Sequence, residues 1–209
     1  LFPDSTHSIY KDINAVFFEL AQNINHVPFG SYNKEYDQIV SQGEIISSKI
    51  VSAYLNESGI QNTWLDVRDI IQTDATYREG KVNWENTQGL ALPQSHSPSL
   101  GRRENPPIGK GVTVTQGFIG RSPDGFTTTL GREGSDYTAA ILAYCTNAES
   151  VTIWKDVPGV MNADPKWFDE TKLIEQMSYQ DAIELSYYGA TVIHPKTIKP
   201  LQSKNIRLH

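Results

Sequence analysis

The chain of 209 residues holds a single cysteine, Cys145, so no internal disulfide can form and no zinc site can be built from thiolates. Long hydrophobic runs are missing too: no stretch approaches the roughly 20 apolar residues that cross a bilayer, and no basic-then-apolar signal segment opens the chain. Positive charge is scarce, with 18 Lys and Arg against 24 Asp and Glu and a net charge of −6, which argues against a general nucleic-acid binder. Several common catalytic signatures are absent, among them Gly-x-x-x-x-Gly-Lys-Ser/Thr, His-Glu-x-x-His, Gly-x-Ser-x-Gly and the protein-kinase set. Any nucleotide chemistry must therefore use a different phosphate-binding architecture. The lone cysteine fits a reducing cytosol, and a cytoplasmic setting is expected. The chain opens at Leu1 without a methionine and stops among strand-like residues, so both ends are expected to be cut.

What is present is an alternation of helical and strand-like runs, long enough in total for one domain with its own core. Residues 9–24 read as an amphipathic helix, with Ile13, Val16, Phe17, Leu20 and Ala21 at helical spacing. A second helix is expected over 34–55, with Ile39, Val40, Gly43, Ile46, Ile50, Val51 and Tyr54 on its apolar side, stopped by Gly59. Strands are expected at 63–67, 111–119 and 150–154. Helices around these strands imply an α/β fold with a largely parallel sheet, whose ligands sit at the carboxyl ends of strands. Residues 92–111 carry Pro93, Pro98, Pro106 and Pro107, four of the eleven prolines, and are expected to form an irregular loop rather than a helix.

The most informative stretch is Thr127-Thr128-Thr129-Leu130-Gly131-Arg132-Glu133-Gly134-Ser135-Asp136. A β-branched strand ends in a glycine turn, and a small-residue helix follows from Tyr137. Free backbone N–H groups and the positive helix end then point at one spot, which suits an anion. Arg132 can grip a carboxylate bidentately, Ser135 can donate a hydrogen bond and Asp136 can orient charged groups; an ordinary strand–helix loop with a surface arginine is the plain alternative. A second constellation runs from Trp154 through Lys155-Asp156-Val157-Pro158-Gly159 to Met161, Asp164-Pro165 and Lys166. Polar groups there hang off a strand end where a base and ribose could be held, although Pro-Gly and Asp-Pro are turn formers in any case. Third, Ser41-Gln42-Gly43-Glu44 lies inside an otherwise apolar helix. Glycine there costs about 1 kcal/mol relative to alanine, so close approach of another group to the backbone is expected, and Glu44 could pair with an ammonium. Last, residues 188–197 end a helix at Gly189 and lead to His194, read as a hydrogen-bonded structural residue rather than a base.

Taken together, Ser41 to Glu44, Thr115-Gln116-Gly117-Phe118-Ile119-Gly120, residues 127–138, Asp156 to Gly159, Asp164-Pro165 and Gly189-Ala190-Thr191-Val192-Ile193-His194-Pro195 resemble aspartokinases in kind, order and spacing. The resemblance spans about 36–208, with the proline-rich segment as its poor match. It implies a three-layer αβα open sandwich with a largely parallel central sheet (the amino acid kinase fold), incomplete at the N-terminus. The whole chain would be one truncated catalytic domain, with 1–110 a mainly helical substrate-side part and 111–209 the nucleotide-binding part. The implied activity is ATP-dependent phosphorylation of the side-chain carboxylate of L-aspartate to 4-phospho-L-aspartate, the step toward lysine, threonine and methionine. The alternatives are a non-catalytic nucleotide- or amino-acid-binding fragment, or another amino acid kinase. Carried over by position, Glu44 resembles the receiver of the α-ammonium. Arg132 resembles the carboxylate clamp, with Glu133, Gly134 and Ser135 completing the wall, and Asp136 the organiser of the catalytic groups. Lys155, Asp156, Met161 and Lys166, with Thr191 and Val192, fall at nucleotide-contacting positions. ATP with a magnesium ion held through its phosphates is the implied cofactor, and a homo-oligomer the implied assembly of the full-length protein.

The departures are specific. Glu133 stands where many relatives have glycine, Met161 where many have tyrosine, Lys166 where arginine is frequent, and Thr191 where many have a lysine near the transferring phosphoryl group. Lys155 or Lys196 could substitute for that lysine. Nothing in residues 1–33 resembles the family's Lys-Phe-Gly-Gly strand or its early Ser/Thr-rich loop, so weak or absent turnover is expected of this chain by itself.

Overall fold

A computed structural model describes residues 1–25, 31–91, 111–188 and 192–209. The chain divides into two compact units, Leu1–Ser135 and Asp136–His209. That line falls later than the 110/111 division drawn from the sequence, so the Thr-rich strand and the Gly-Arg turn sit with the helical part. No helix among the described residues is long and apolar enough to cross a membrane.

In the first unit, α1 (Ser8–Asn25) and α2 (Tyr32–Glu57) lead to β1 (Asn62–Leu65), a 3-10 turn at Val67–Asp69 and α3 (Trp84–Ala91). Ser31 caps α2, its side chain accepting the Lys34 N–H at 3.3 Å. The helix stops just before Gly59, which takes φ 83, a conformation open to glycine at no steric cost. β2 (Val112–Thr115) runs parallel to β1, with Asn62 opposite Val112 and Leu65 opposite Thr115. The strand expected over 111–119 breaks after Thr115, where Phe118 adopts φ 71 and turns the chain into β3 (Ile119–Arg121). β3 pairs antiparallel with β4 (Thr127–Thr129), Ile119 facing Thr129. Most of the proline-rich segment, residues 92–110, lies outside the described residues.

The face that α2 buries is not the one its hydrophobic spacing suggests. Ile39, Val40, Val51 and Tyr54 are exposed, while Asp37, Gln38, Ser41, Gln42, Ile45, Ser48 and Ser52 are buried. The reason is hydrogen bonding. Gln38 Nε2 donates to the Thr127 carbonyl at 2.8 Å and its Oε1 accepts the Thr127 N–H at 3.1 Å. Asp37 accepts the Thr129 N–H at 2.8 Å and the Thr129 hydroxyl at 2.9 Å. These two side chains act as a neighbouring strand for the free edge of β4, satisfying backbone groups that burial would otherwise leave unpaired. Farther along, Ser48 Oγ accepts from Trp64 Nε1 at 3.0 Å and from Gln116 Nε2 at 2.9 Å.

The second unit opens within α4 (Gly134–Thr146), which begins three residues earlier than expected. β5 (Ser150–Val151) pairs parallel with β6 (Arg207–Leu208), and α5 (Tyr179–Tyr187) and α6 (Pro195–Ser203) lie between them in sequence. β5 is shorter than expected, although Ile153 N–H still reaches the His209 carbonyl at 2.9 Å. Both parallel pairs accord with the α/β class. Ala140, Ala143, Val151, Leu201 and Ile206 form the apolar core here. Lys204 donates to the Tyr144 carbonyl and to Asn147 Oδ1, each at 2.6 Å, which closes the C-terminal end of α4. Cys145 is fully buried, and burial pushes its thiol up to about 11, so it is inert at neutral pH.

Candidate active site

The Gly131-to-Ser135 turn is fixed from below and from the side. Thr127, Thr128, Thr129 and Leu130 are all buried, and the Leu130 N–H donates to the Phe118 carbonyl at 2.7 Å. Gly131 takes φ 76 with its backbone against Glu79 and the Arg78 carbonyl, where a Cβ would come within 3.1 Å of Glu79 Cγ. At Gly117 a Cβ would meet Ser135 Cβ and Oγ at 2.7 Å, so only glycine lets that loop lie against Ser135. Glu133 itself takes φ 53. Glycine adopts that backbone without strain, whereas a glutamate is strained there.

This turn forms one wall of a cleft with a volume of about 810 Å³, lined by Glu44 of α2, by Gly131, Arg132, Glu133, Gly134 and Ser135, and by residues 76–79. Five residues singled out from the sequence are thus brought together. Arg132 is exposed, and no protein acceptor holds its guanidinium among the described residues. Glu44 is half-buried, and desolvation raises its pKa above the ordinary glutamate value. The glycine beside it behaves differently from expectation: among the described residues a Cβ on Gly43 would meet nothing within 4 Å.

Sequence reading missed the 76–79 segment. Arg78 takes φ 69, its N–H donates to Asp37 Oδ2 at 2.8 Å, and its guanidinium carbon lies 4.7 Å from the centre of the Tyr36 ring. Asp37 therefore joins α2, β4 and this loop through one fully buried carboxylate. The available signal was the Tyr77-Arg78-Glu79-Gly80 run, which reads as an exposed polar turn and hides a backbone role.

In the second unit, Lys155 Nζ lies 2.8 Å from Asp136 Oδ2, with both side chains mostly buried. The contact is an ion pair without hydrogen-bond alignment, so Asp136 Oδ2 has no hydrogen-bond partner in spite of its burial. Asp156 and Lys166 are exposed; Met161 is half-buried and bridges to Leu173, and Val192 is half-buried. Thr191 lies outside the described residues. His194 caps α6, its Nδ1 accepting the Lys196 N–H at 3.1 Å, which is the structural role read from its sequence context. Lys196 Nζ lies 4.6 Å from the centre of the Tyr137 ring.

The sequence profile of the amino acid kinase family matches residues 6–209. The chain belongs to the amino acid kinase family. Among curated members it is 37% identical over 170 residues to lysine-sensitive aspartokinase 3 of Escherichia coli strain K12, covering 81% of this chain and 36% of that protein. It is 34% identical over 180 residues to the chloroplastic bifunctional aspartokinase/homoserine dehydrogenase 1 of Arabidopsis thaliana, covering 81% of this chain and 18% of that protein. Among solved structures, E. coli aspartokinase III in complex with aspartate and ADP superposes with a TM-score of 0.79 at 33% identity, covering 94% of this chain and 42% of that one. The chain thus spans less than half the length of these amino acid kinase relatives, and it shares their α/β fold.

Proposed function

We propose that the protein is the catalytic part of an aspartate kinase, transferring a phosphoryl group from ATP to the side-chain carboxylate of L-aspartate to give 4-phospho-L-aspartate. The observation that carries this reading is the first-unit cleft, where the half-buried carboxylate of Glu44 and the guanidinium of Arg132 stand among small hydrogen-bonding groups. That pair complements the ammonium and carboxylate of an amino acid. A relative of this fold holds aspartate and ADP in its crystal structure, which supports the same ligands here. Glu44 receives the ammonium, which would relieve the cost of desolvating its carboxylate. Arg132 clamps a carboxylate, Ser135 donates a hydrogen bond, and Glu133 and Gly134 complete the wall.

The acceptor carboxylate is already ionised at neutral pH, so the chain has no proton to remove. Its task is positioning and charge balance. On the nucleotide side, the Lys155 ammonium would attract a phosphate group, and the buried Asp136 carboxylate that holds it at 2.8 Å would face the cation carried by the phosphates. Asp156, Met161 and Lys166, with Thr191 and Val192, would hold the adenosine. When bound, ATP supplies the phosphoryl group and magnesium neutralises part of its charge. Among the described residues no group of three His, Cys, Asp or Glu could hold a metal. Of the two lysines that could stand in for the one replaced by Thr191, Lys155 is favoured, because its ammonium lies against Asp136 while that of Lys196 lies over the Tyr137 ring.

A coupled ADP-release assay with L-aspartate, read beside calorimetry, tests the reading. Aspartate is expected to bind, and Arg132→Ala to weaken binding roughly tenfold or more. A chain that binds no aspartate sinks the proposal. Binding without turnover supports the second reading, a non-catalytic amino-acid-binding module, which Thr191 at the lysine position favours.

A further inference from the structure

The cleft holds a second guanidinium that the reading above does not use. Arg78 lines the same cavity as Arg132 and Glu44, is exposed to it, and makes no ion pair with any acidic side chain among the described residues. Its backbone sits at φ 69, where a side-chain-bearing residue is strained and glycine is not. The strained position is held from beneath, since the fully buried Asp37 carboxylate accepts its N–H at 2.8 Å while also holding Thr129 of β4. The side chain is held from above by the Tyr36 ring, 4.7 Å from the guanidinium carbon. A flexible arginine is thereby kept on two supports with its donors left for a ligand. Its acidic neighbour Glu79 also lines the cleft, with its stem against Gly131. Strain retained at a fixed, ligand-facing arginine is the pattern of a recognition residue rather than of packing.

We propose that Arg78 is a substrate-binding residue that takes the carboxylate Arg132 does not, which makes the cleft selective for an amino acid bearing two free carboxylates. Glu44 holds the ammonium, Arg132 one carboxylate and Arg78 the other. This inference rests on the aspartate reading of the same cleft and adds the residue that would distinguish an amino dicarboxylate from a neutral amino acid.

The test is calorimetric titration of the unmutated chain and of Arg78→Gly and Arg78→Lys with L-aspartate in the absence of nucleotide, together with their melting temperatures. Arg78→Gly removes the guanidinium and relieves the backbone strain. It is expected to weaken aspartate binding roughly tenfold or more while the melting temperature holds or rises, and Arg78→Lys is expected to keep part of the affinity. Undiminished affinity in Arg78→Gly overturns the proposal, and so does a loss accompanied by a clear fall in melting temperature, which marks a structural role. If the unmutated chain binds no aspartate, the reading of the cleft fails and this inference fails with it. If it binds and Arg78→Gly binds equally well, only the role of Arg78 fails.

Discussion

The two units are held together by different means. In Asp136–His209 the core is the familiar one, with alanines of α4 packed with Val151, Leu201 and Ile206. In Leu1–Ser135 the longest helix turns a polar face inward, and the strand that leads to the Gly131-to-Ser135 turn is anchored by Asp37 and Gln38. Apolar packing is tolerant of direction, because its strength follows area rather than angle. A carboxylate accepting two backbone N–H groups and a hydroxyl is directional, and it fixes β4 and the 76–79 loop against one atom group. The unit that contains the cleft is thus the one fastened by directional bonds.

The contrast can be broken most sharply at Asp37. Asp37→Ala leaves the buried N–H of Thr129 and the part-buried N–H of Arg78 unpaired and should cost about 4 kcal/mol, read as a fall in the urea midpoint, with aspartate affinity lost as well because the loop is released. Leu201→Ala in the other unit should cost about 3 kcal/mol from lost transfer energy and a cavity, yet leave aspartate binding per folded molecule unchanged. Equal effects of the two on binding would show that the directional and apolar regions do not differ in function. Gln38→Ala should fall lower, at about 2 kcal/mol, since it unpairs one N–H and one carbonyl of Thr127 without removing a charge. The smallest effect concerns Glu44. Burial raises its pKa, so its contribution to stability is fully present below the unfolded pKa and is lost as pH rises through the folded one. Glu44→Gln should accordingly raise the melting temperature slightly at neutral pH. The same shift predicts that aspartate affinity falls on acidification at a pH above the ordinary glutamate range, and that Glu44→Gln flattens this profile; a profile centred on the ordinary value would remove Glu44 from the site.

Much of the cleft wall was legible in the sequence because it is written in residues with few alternative uses. A β-branched run followed by Gly-Arg-x-Gly-Ser-Asp has only a few ways to fold, and Glu44, Arg132 and Ser135 do meet in one cleft. Helix positions were legible from spacing and from Gly59 past the end of α2, while the Ser31 cap at its start was not. The orientation of α2 was not, because hydrophobic periodicity assumes that the apolar stripe faces inward. Here the edge of β4 needed partners more than the apolar stripe needed cover, and Ile39, Val40, Val51 and Tyr54 were left exposed. Arg78 was illegible as well, since its importance lies in a backbone angle and a distant carboxylate, neither of which leaves a local pattern. The Lys155–Asp136 ion pair joins residues 19 positions apart that were each marked separately, and only the fold brings them to 2.8 Å.

The tether at position 78 has a consequence for how such a cleft could diversify. Asp37 holds the loop by a main-chain N–H, which any residue other than proline supplies, so the location of the side chain is set independently of its identity. Exchanges at that position can therefore sample charge, length and polarity against the bound molecule while the supporting frame stays put. The ligand contact proposed for this position would then be retuned one substitution at a time, with glycine as the unstrained starting point.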